Sequence, residues 1–149
     1  MPNEAIPTAV IKNMLDTEWN TQSGLIPEPT FVDINDGSGG AQLRFDLNRG
    51  DFVFISSDMP SETEEPIGTW VYGNRTTRIV LEMHTKDSRQ RLYNIKQEIR
   101  RIAHNQMHAL DEFQRIQYVT FAEYIQDQMN LWSGRIILEL VNNAILLET

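Results

Sequence analysis

The pattern of apolar and polar positions changes its period within residues 78–104, "RIVLEMHTKDSRQRLYNIKQEIRRIAH". In the first part, Ile79, Leu81 and Met83 alternate with more polar positions, so they share one face of an extended chain. Arg78, Val80, Glu82 and His84 then fall on the opposite face. This alternation predicts a β-strand over residues 76–85, with one apolar face against the core.

The second part of the same stretch repeats with the period of a helix. Its apolar positions recur at spacings of three and four and form one stripe: Leu92, Ile95, Ile99 and Ile102. Asp87 or Ser88 is suited to begin the helix, because a short oxygen-bearing side chain can accept hydrogen bonds from its first N–H groups. We predict a long helix that runs to about residue 108.

The remaining pattern predicts one shorter helix, further strands and two polar loops. Apolar residues on one stripe indicate a helix over 8–19. The predicted loops are Gly-rich 35–42 and acidic 57–66. Besides 76–85, the predicted strands are 30–34, 51–56, 69–73, 113–124 and 133–141. Because helices do not alternate regularly with strands, we expect an α+β fold with a mainly antiparallel sheet packed against one long and one short helix.

Length, charge and composition narrow the possible functions. The 149 residues fit a single domain, 1–149, and contain no Cys that could form a disulfide or a thiolate metal site. The formal net charge of −8 repels phosphate, so non-specific binding of nucleic acid is not expected. The apolar runs are too short to cross a bilayer. An acidic, Lys-poor surface suits a high-salt cytoplasm, but it also fits a merely acidic protein.

Histidines offer one candidate metal site. His104 and His108 are four residues apart on the predicted helix, and His84 could supply a third ligand. No Glu lies between the two helical histidines at the spacing of a zinc-protease helix. We interpret them as polar residues near a helix end and expect no metal.

Other candidate chemistry lacks its essential parts. "GSGG" at 37–40 has no Gly-Lys-Ser or Gly-Lys-Thr, so it does not predict a phosphate loop. The carboxylates of Glu64 and Glu65 lie in a polar stretch where nothing apolar would raise a pKa. We therefore expect no catalytic residues and no cofactor.

The outer face of the predicted long helix has an unusual composition. It carries amides, Arg, His and Tyr where solvated helices carry mostly Lys and Glu. Tyr and Arg are enriched at protein interfaces, whereas Lys and Glu are depleted there. A solvated face is the alternative interpretation. We predict that a protein contact involves Tyr93, Gln97, Arg100, Arg101 and His104.

The order of these segments resembles the tail terminator, or tail completion, proteins of long-tailed phages and tailed archaeal viruses. The resemblance covers most of residues 8–141 and depends on element order and apolar texture. It starts with the first helix and "LIPEPTF", followed by "GDFVFIS". It continues with "RTTRIVLEMHT", "DSRQRLYNIKQEIRRI", "FQRIQYVTFAEY" and "NLWSGRIILEL".

The resemblance implies a structural virion protein rather than an enzyme. Such a protein would be assembled in the host cytoplasm and would form a homo-oligomeric ring, six-membered in that family, at the tail neck. Its partners would be the tail tube protein and the head–tail connector, and DNA would pass through without specific binding. Three alternatives stay open at this point. One is a head-completion or connector-adaptor protein. In other classes, they are a small metal-dependent hydrolase that uses His84, His104 and His108, and a soluble regulatory module.

Overall fold

The computed structural model describes residues 5–19, 26–34, 50–66, 72–126 and 130–145. In chain order its elements are α1 (Pro7–Glu18), β1 (Thr30–Asp33), β2 (Phe52–Pro66), β3 (Tyr72–Thr85), α2 (Arg89–Asn105), β4 (Arg115–Glu123) and β5 (Trp132–Ile145). The described strands form one sheet in the order β1-β2-β3-β5-β4. β1 is parallel to β2 and every other neighbouring pair is antiparallel. The predicted α+β fold with a mainly antiparallel sheet is confirmed.

The core lies between one face of the sheet and the two helices. On β3, the predicted apolar face is fully buried, since Ile79, Leu81 and Met83 are each 0% exposed. The four residues of the α2 stripe, Leu92, Ile95, Ile99 and Ile102, belong to the same buried cluster. The apolar face of β3 and the apolar stripe of α2 therefore pack into one core, as the spacing of their residues predicts.

The ends of the helices follow local chemistry. α1 has a Pro at its start, where the missing N–H costs nothing. Beyond its end, the indole N–H of Trp19 donates to the carbonyl of Ile26 at 2.9 Å. At α2, Ser88 is the N-cap, and its hydroxyl accepts a hydrogen bond from the backbone N–H of Arg91 at 3.0 Å. Of the two predicted caps, Ser88 is the one used.

A buried ion pair fastens α2 to the segments before β1 and β2. The guanidinium Nε of Arg91 lies 2.6 Å from a carboxylate oxygen of Asp51, and its Nη2 donates to the carbonyl of Pro27 at 2.7 Å. Both charged side chains are almost enclosed, at 10% and 12% exposure. The pair fixes the position of α2 over the sheet, and with it the position of the outer face.

The predicted acidic loop at 57–66 is wrong, because this segment is the outer part of β2. After a bulge, Glu62 pairs with Thr77 and Pro66 with Gly73. Residues 58–61 lie opposite Arg78 alone, which accounts for the bulge. The polar side chains do not prevent a strand here, because pairing with β3 satisfies the backbone groups.

Two further predictions need correction. The strands predicted separately at 69–73 and 76–85 are not divided by a turn: Gly73, Asn74 and Arg75 lie inside β3, where β2 and β5 pair on either side. α2 ends at Asn105 rather than near residue 108, and residues 106–109 form a turn. The carbonyl of Met107 accepts a hydrogen bond from the N–H of Ile116 at 3.0 Å, so this turn already belongs to the approach to β4. The loop predicted at 35–42 and most of the strand predicted at 69–73 lie outside the described residues.

Neither helix of the described part is long and apolar enough to span a membrane.

Candidate interaction surface on α2

The five side chains predicted to form a protein contact all belong to α2, but they differ in exposure. Gln97, Arg100 and His104 are exposed, whereas Tyr93 and Arg101 are half-buried. The helical spacing thus places the first three on the outer face. The other two lie at its flanks, where they are already engaged within the chain.

Tyr93 connects α2 to the edge strand β4. Its hydroxyl donates to a carboxylate oxygen of Glu123 at 2.7 Å, and its ring meets that of Phe121 edge-on at 5.5 Å. The Nε and Nη2 of Arg89 donate hydrogen bonds to the two oxygens of the same carboxylate, at 2.8 and 3.0 Å. The Arg89 and Tyr93 hydrogen bonds lower the pKa of Glu123. This flank is a structural contact within the chain, so Tyr93 has less freedom to bind a partner than the sequence suggests.

Arg101 connects α2 to the end of α1 on the opposite flank. Its Nη2 donates to the carbonyl of Glu18 at 2.9 Å, and its Nε lies 2.5 Å from a carboxylate oxygen of Glu98. Glu98 is 2% exposed. The hydrogen bonding of Arg101 to the Glu98 carboxylate, which accepts, is the main cause that raises the pKa of Arg101. Arg101 therefore compensates a buried negative charge, which is a structural role that the sequence did not predict.

Between these flanks, α2 borders an open groove of about 510 Å³. Its described lining combines amides, charged groups and one aliphatic side chain: Ile26, Asn94, Gln97, Glu98, Arg100, Arg101 and His104. Four of the five predicted contact residues line it. Their role in binding a partner stays a prediction.

Arg100 is the cation of this groove that no described carboxylate neutralises. Arg89, Arg91 and Arg101 each form an ion pair, but Arg100 forms none within the described residues. Its charge acts on Tyr118, whose pKa burial raises and Arg100 partly lowers. His104 lies edge-on to Tyr118, with ring centroids 6.3 Å apart. The groove thus presents a positive charge beside hydrogen-bonding groups.

The candidate histidine cluster, which belonged to the alternative hydrolase hypothesis, is not assembled among the described residues. His108 lies beyond the end of α2, where its Nδ1 is 3.4 Å from the carbonyl oxygen of Gln114. His84 follows Met83 along β3 and therefore points to the face of the sheet opposite the helices, where its Nδ1 is 2.7 Å from the Ser133 hydroxyl. His84 cannot join His104 on one metal. Within the described ranges, no group of three or more His, Cys, Asp or Glu residues is placed to hold a metal ion.

A second surface, which was not predicted from the sequence, is formed by the outer part of the β2–β3 hairpin. We define the acidic arm as residues 61–66 of β2 and 73–77 of β3. Glu62, Glu64 and Glu65 are exposed on it, and Arg75 lies 2.9 Å from a carboxylate oxygen of Glu64. Three carboxylates within residues 62–65 indicated an exposed charged surface in the sequence, but did not indicate a strand.

Comparison with protein-family models and with curated proteins finds no match for this chain. The features of this chain that bear on its function are therefore its surfaces and the order of its elements.

Proposed function

We propose that this chain is a structural virion protein that forms a homo-oligomeric ring, caps the tail tube of a tailed virus and joins it to the head connector. The ring lies at the tail neck and lets DNA pass without binding it specifically. The chain acts through shape and self-association and catalyses no reaction. In this proposal α2 is the long helix and α1 the short helix of the tail terminator pattern.

The observation that carries the proposal is the outer surface of α2. Gln97, Arg100 and His104 are exposed beside a groove of about 510 Å³, and the groove has the amide and Arg composition of a protein contact. The guanidinium of Arg100 has no ion-pair partner among the described residues, so it is available to meet a carboxylate of another molecule.

The order of the elements gives further support. β2 contains "FVFIS", β3 contains "RTTRIVLEMHT" and leads into α2, and β4 and β5 close the fold. This is the succession of segments on which the resemblance to tail terminators depends. The acidic balance also fits a ring around DNA, because negative charge repels phosphate and keeps the passing strand from adhering.

The test is whether the chain ends a growing tube. The tail tube protein of the same virus would be polymerised in the presence and in the absence of this chain. Negative-stain electron microscopy would record the lengths and the ends of the tubes. We expect shorter tubes of uniform length, each with a ring on one end. Tubes of unchanged length without end rings would contradict tail capping. Rings that bind a connector but not a tube would instead identify a connector adaptor.

A further inference from the structure

We propose that the acidic arm of one subunit binds the Arg100 groove of its neighbour, so that one repeated arm-to-groove contact closes the ring. The inference rests on the proposed function and names the contact that the proposed ring would use. The occupant of the groove is a second copy of this chain.

The arm is built to make a contact outside its own subunit. Its strands continue beyond the region where β1 pairs with β2, since that pairing covers only Phe52–Ile55 of β2. Among the described residues, β3 is the only strand that pairs with Glu62–Pro66 of β2. The side chains of 61–65 are exposed. The β2 part of the arm is thus a hydrogen-bonded strand with exposed side chains, whereas Thr77 on its β3 part is buried.

The charges of the arm and the groove are complementary. The arm has three carboxylates and one guanidinium, that of Arg75, which gives a formal charge of −2. The groove has two guanidinium groups and the carboxylate of Glu98, which gives +1 with His104 neutral. Opposite potentials on two surfaces steer association and fix its register.

Within the described part of one subunit, the charges of the arm and the groove are only partly paired. Arg75 approaches Glu64 at 2.9 Å and Glu62 at 3.5 Å, so one cation is shared between two carboxylates. Arg100 has no ion-pair partner among the residues that the structure describes. Each subunit therefore has an excess of negative charge on the arm. In its groove, the positive charge of Arg100 has no ion-pair partner among the described residues.

Two different complementary surfaces on each subunit allow head-to-tail association. Such a heterologous contact repeats from subunit to subunit and gives a closed ring when its rotation closes. The same two surfaces can also meet reciprocally in a two-fold dimer. A discrete dimer in place of a larger assembly would therefore contradict ring closure by this contact.

The experiment uses two charge-reversed variants of the full chain. Arg100→Glu reverses the sign of the formal charge of the groove. Glu62→Lys with Glu65→Lys reverses the sign of the formal charge of the arm, while Glu64 keeps its ion pair with Arg75. Lys86→Glu is the control, because Lys86 is exposed in the turn between β3 and α2 and the substitution changes the net charge as Arg100→Glu does. Circular dichroism and thermal unfolding would show that each variant is folded.

The measured quantity is the protein concentration at which half of the chain is assembled, determined from mass photometry at low salt. We expect each reversed variant to raise this concentration about tenfold or more, and Lys86→Glu to change it by less than about threefold. Mixed in equal amounts, the two reversed variants should assemble again, because alternating subunits restore an attractive contact at every interface. Such a mixed ring has an even number of subunits.

The outcomes separate this contact from the proposed function. If the unmodified chain forms rings but neither reversed variant weakens them, or if the mixture fails to assemble, the arm-to-groove contact is wrong and ring formation stands. If the unmodified chain assembles neither alone nor on tube ends, the proposed function fails, and this contact fails with it.

Discussion

The inner and outer parts of the β2–β3 hairpin differ in how deeply their side chains are buried, although they belong to the same two strands. In the inner part, Val53, Ile55 and Leu81 are fully buried beneath the helices. In the outer part, Glu62 and Glu64 are 41% exposed. Apolar burial stabilises the inner part. In the outer part, β2 is held by backbone pairing with β3, and β3 is also paired with β5. The comparison shows that stability and the candidate contact surface are separated along one hairpin.

The largest expected effect comes from removing a side chain of the inner part. We expect Leu81→Ala to lower the free energy of unfolding by about 3 kcal/mol, because it removes buried methyl groups and leaves a cavity. Thr63→Ala in the exposed outer part is the matched control and should change it by less than about 0.5 kcal/mol. Urea unfolding followed by circular dichroism measures both. Equal losses would show that the outer part contributes to the core as much as the inner part.

The Arg91–Asp51 pair tests what holds α2 over the inner part. We expect Asp51→Asn to cost about 2–3 kcal/mol, because the buried guanidinium loses its counter-charge. Asp111→Asn, at an exposed position after α2, is the control. The same unfolding measurement applies. A loss no greater than that of the control would mean that α2 is positioned by its apolar stripe alone.

The cap of α2 gives a smaller effect. Ser88→Ala removes the hydroxyl that accepts from the N–H of Arg91, and we expect a loss of about 1 kcal/mol. Asp87→Ala should cost less, because Asp87 is not the N-cap. If the order of the two losses is reversed in chemical unfolding, Asp87 rather than Ser88 begins the helix in solution.

The smallest expected effect concerns His84, on the face of the sheet opposite the helices. Burial lowers the pKa of His84, and the nearby charge of Glu82 partly opposes this shift. The unfolded chain therefore binds the proton more readily, so stability is full above the unfolded pKa of about 6.5 and falls as the pH drops through it towards the lower folded pKa. Unfolding free energies at pH 7.5 and pH 5 should differ less in His84→Gln than in the unmodified chain. An identical difference would assign the pH dependence to other groups.

The sequence predicted what depends on periodic burial. The stripe through Leu92 and Ile99 and the alternation through Leu81 located α2, β3 and the core between them. Polar segments were harder, because strand pairing can order them without apolar contacts. This explains why the outer part of β2 was predicted as a loop.

The candidate surface was predictable in part, for a related reason. Helical spacing is local, so the exposure of Gln97 and Arg100 followed from the sequence. The engagement of Tyr93 by Glu123 joins residues 30 positions apart, and that of Arg101 by the Glu18 carbonyl joins residues 83 apart. Such contacts depend on how the sheet and helices pack, which residue spacing does not reveal.

The most direct test of the central claim is the mass of the purified chain in solution as its concentration rises. Self-association through a repeated contact predicts one discrete assembly, seen as rings with a central hole in negative stain. A monomer at every concentration, both alone and in the presence of tail tubes, would contradict the claim that this protein acts by assembling.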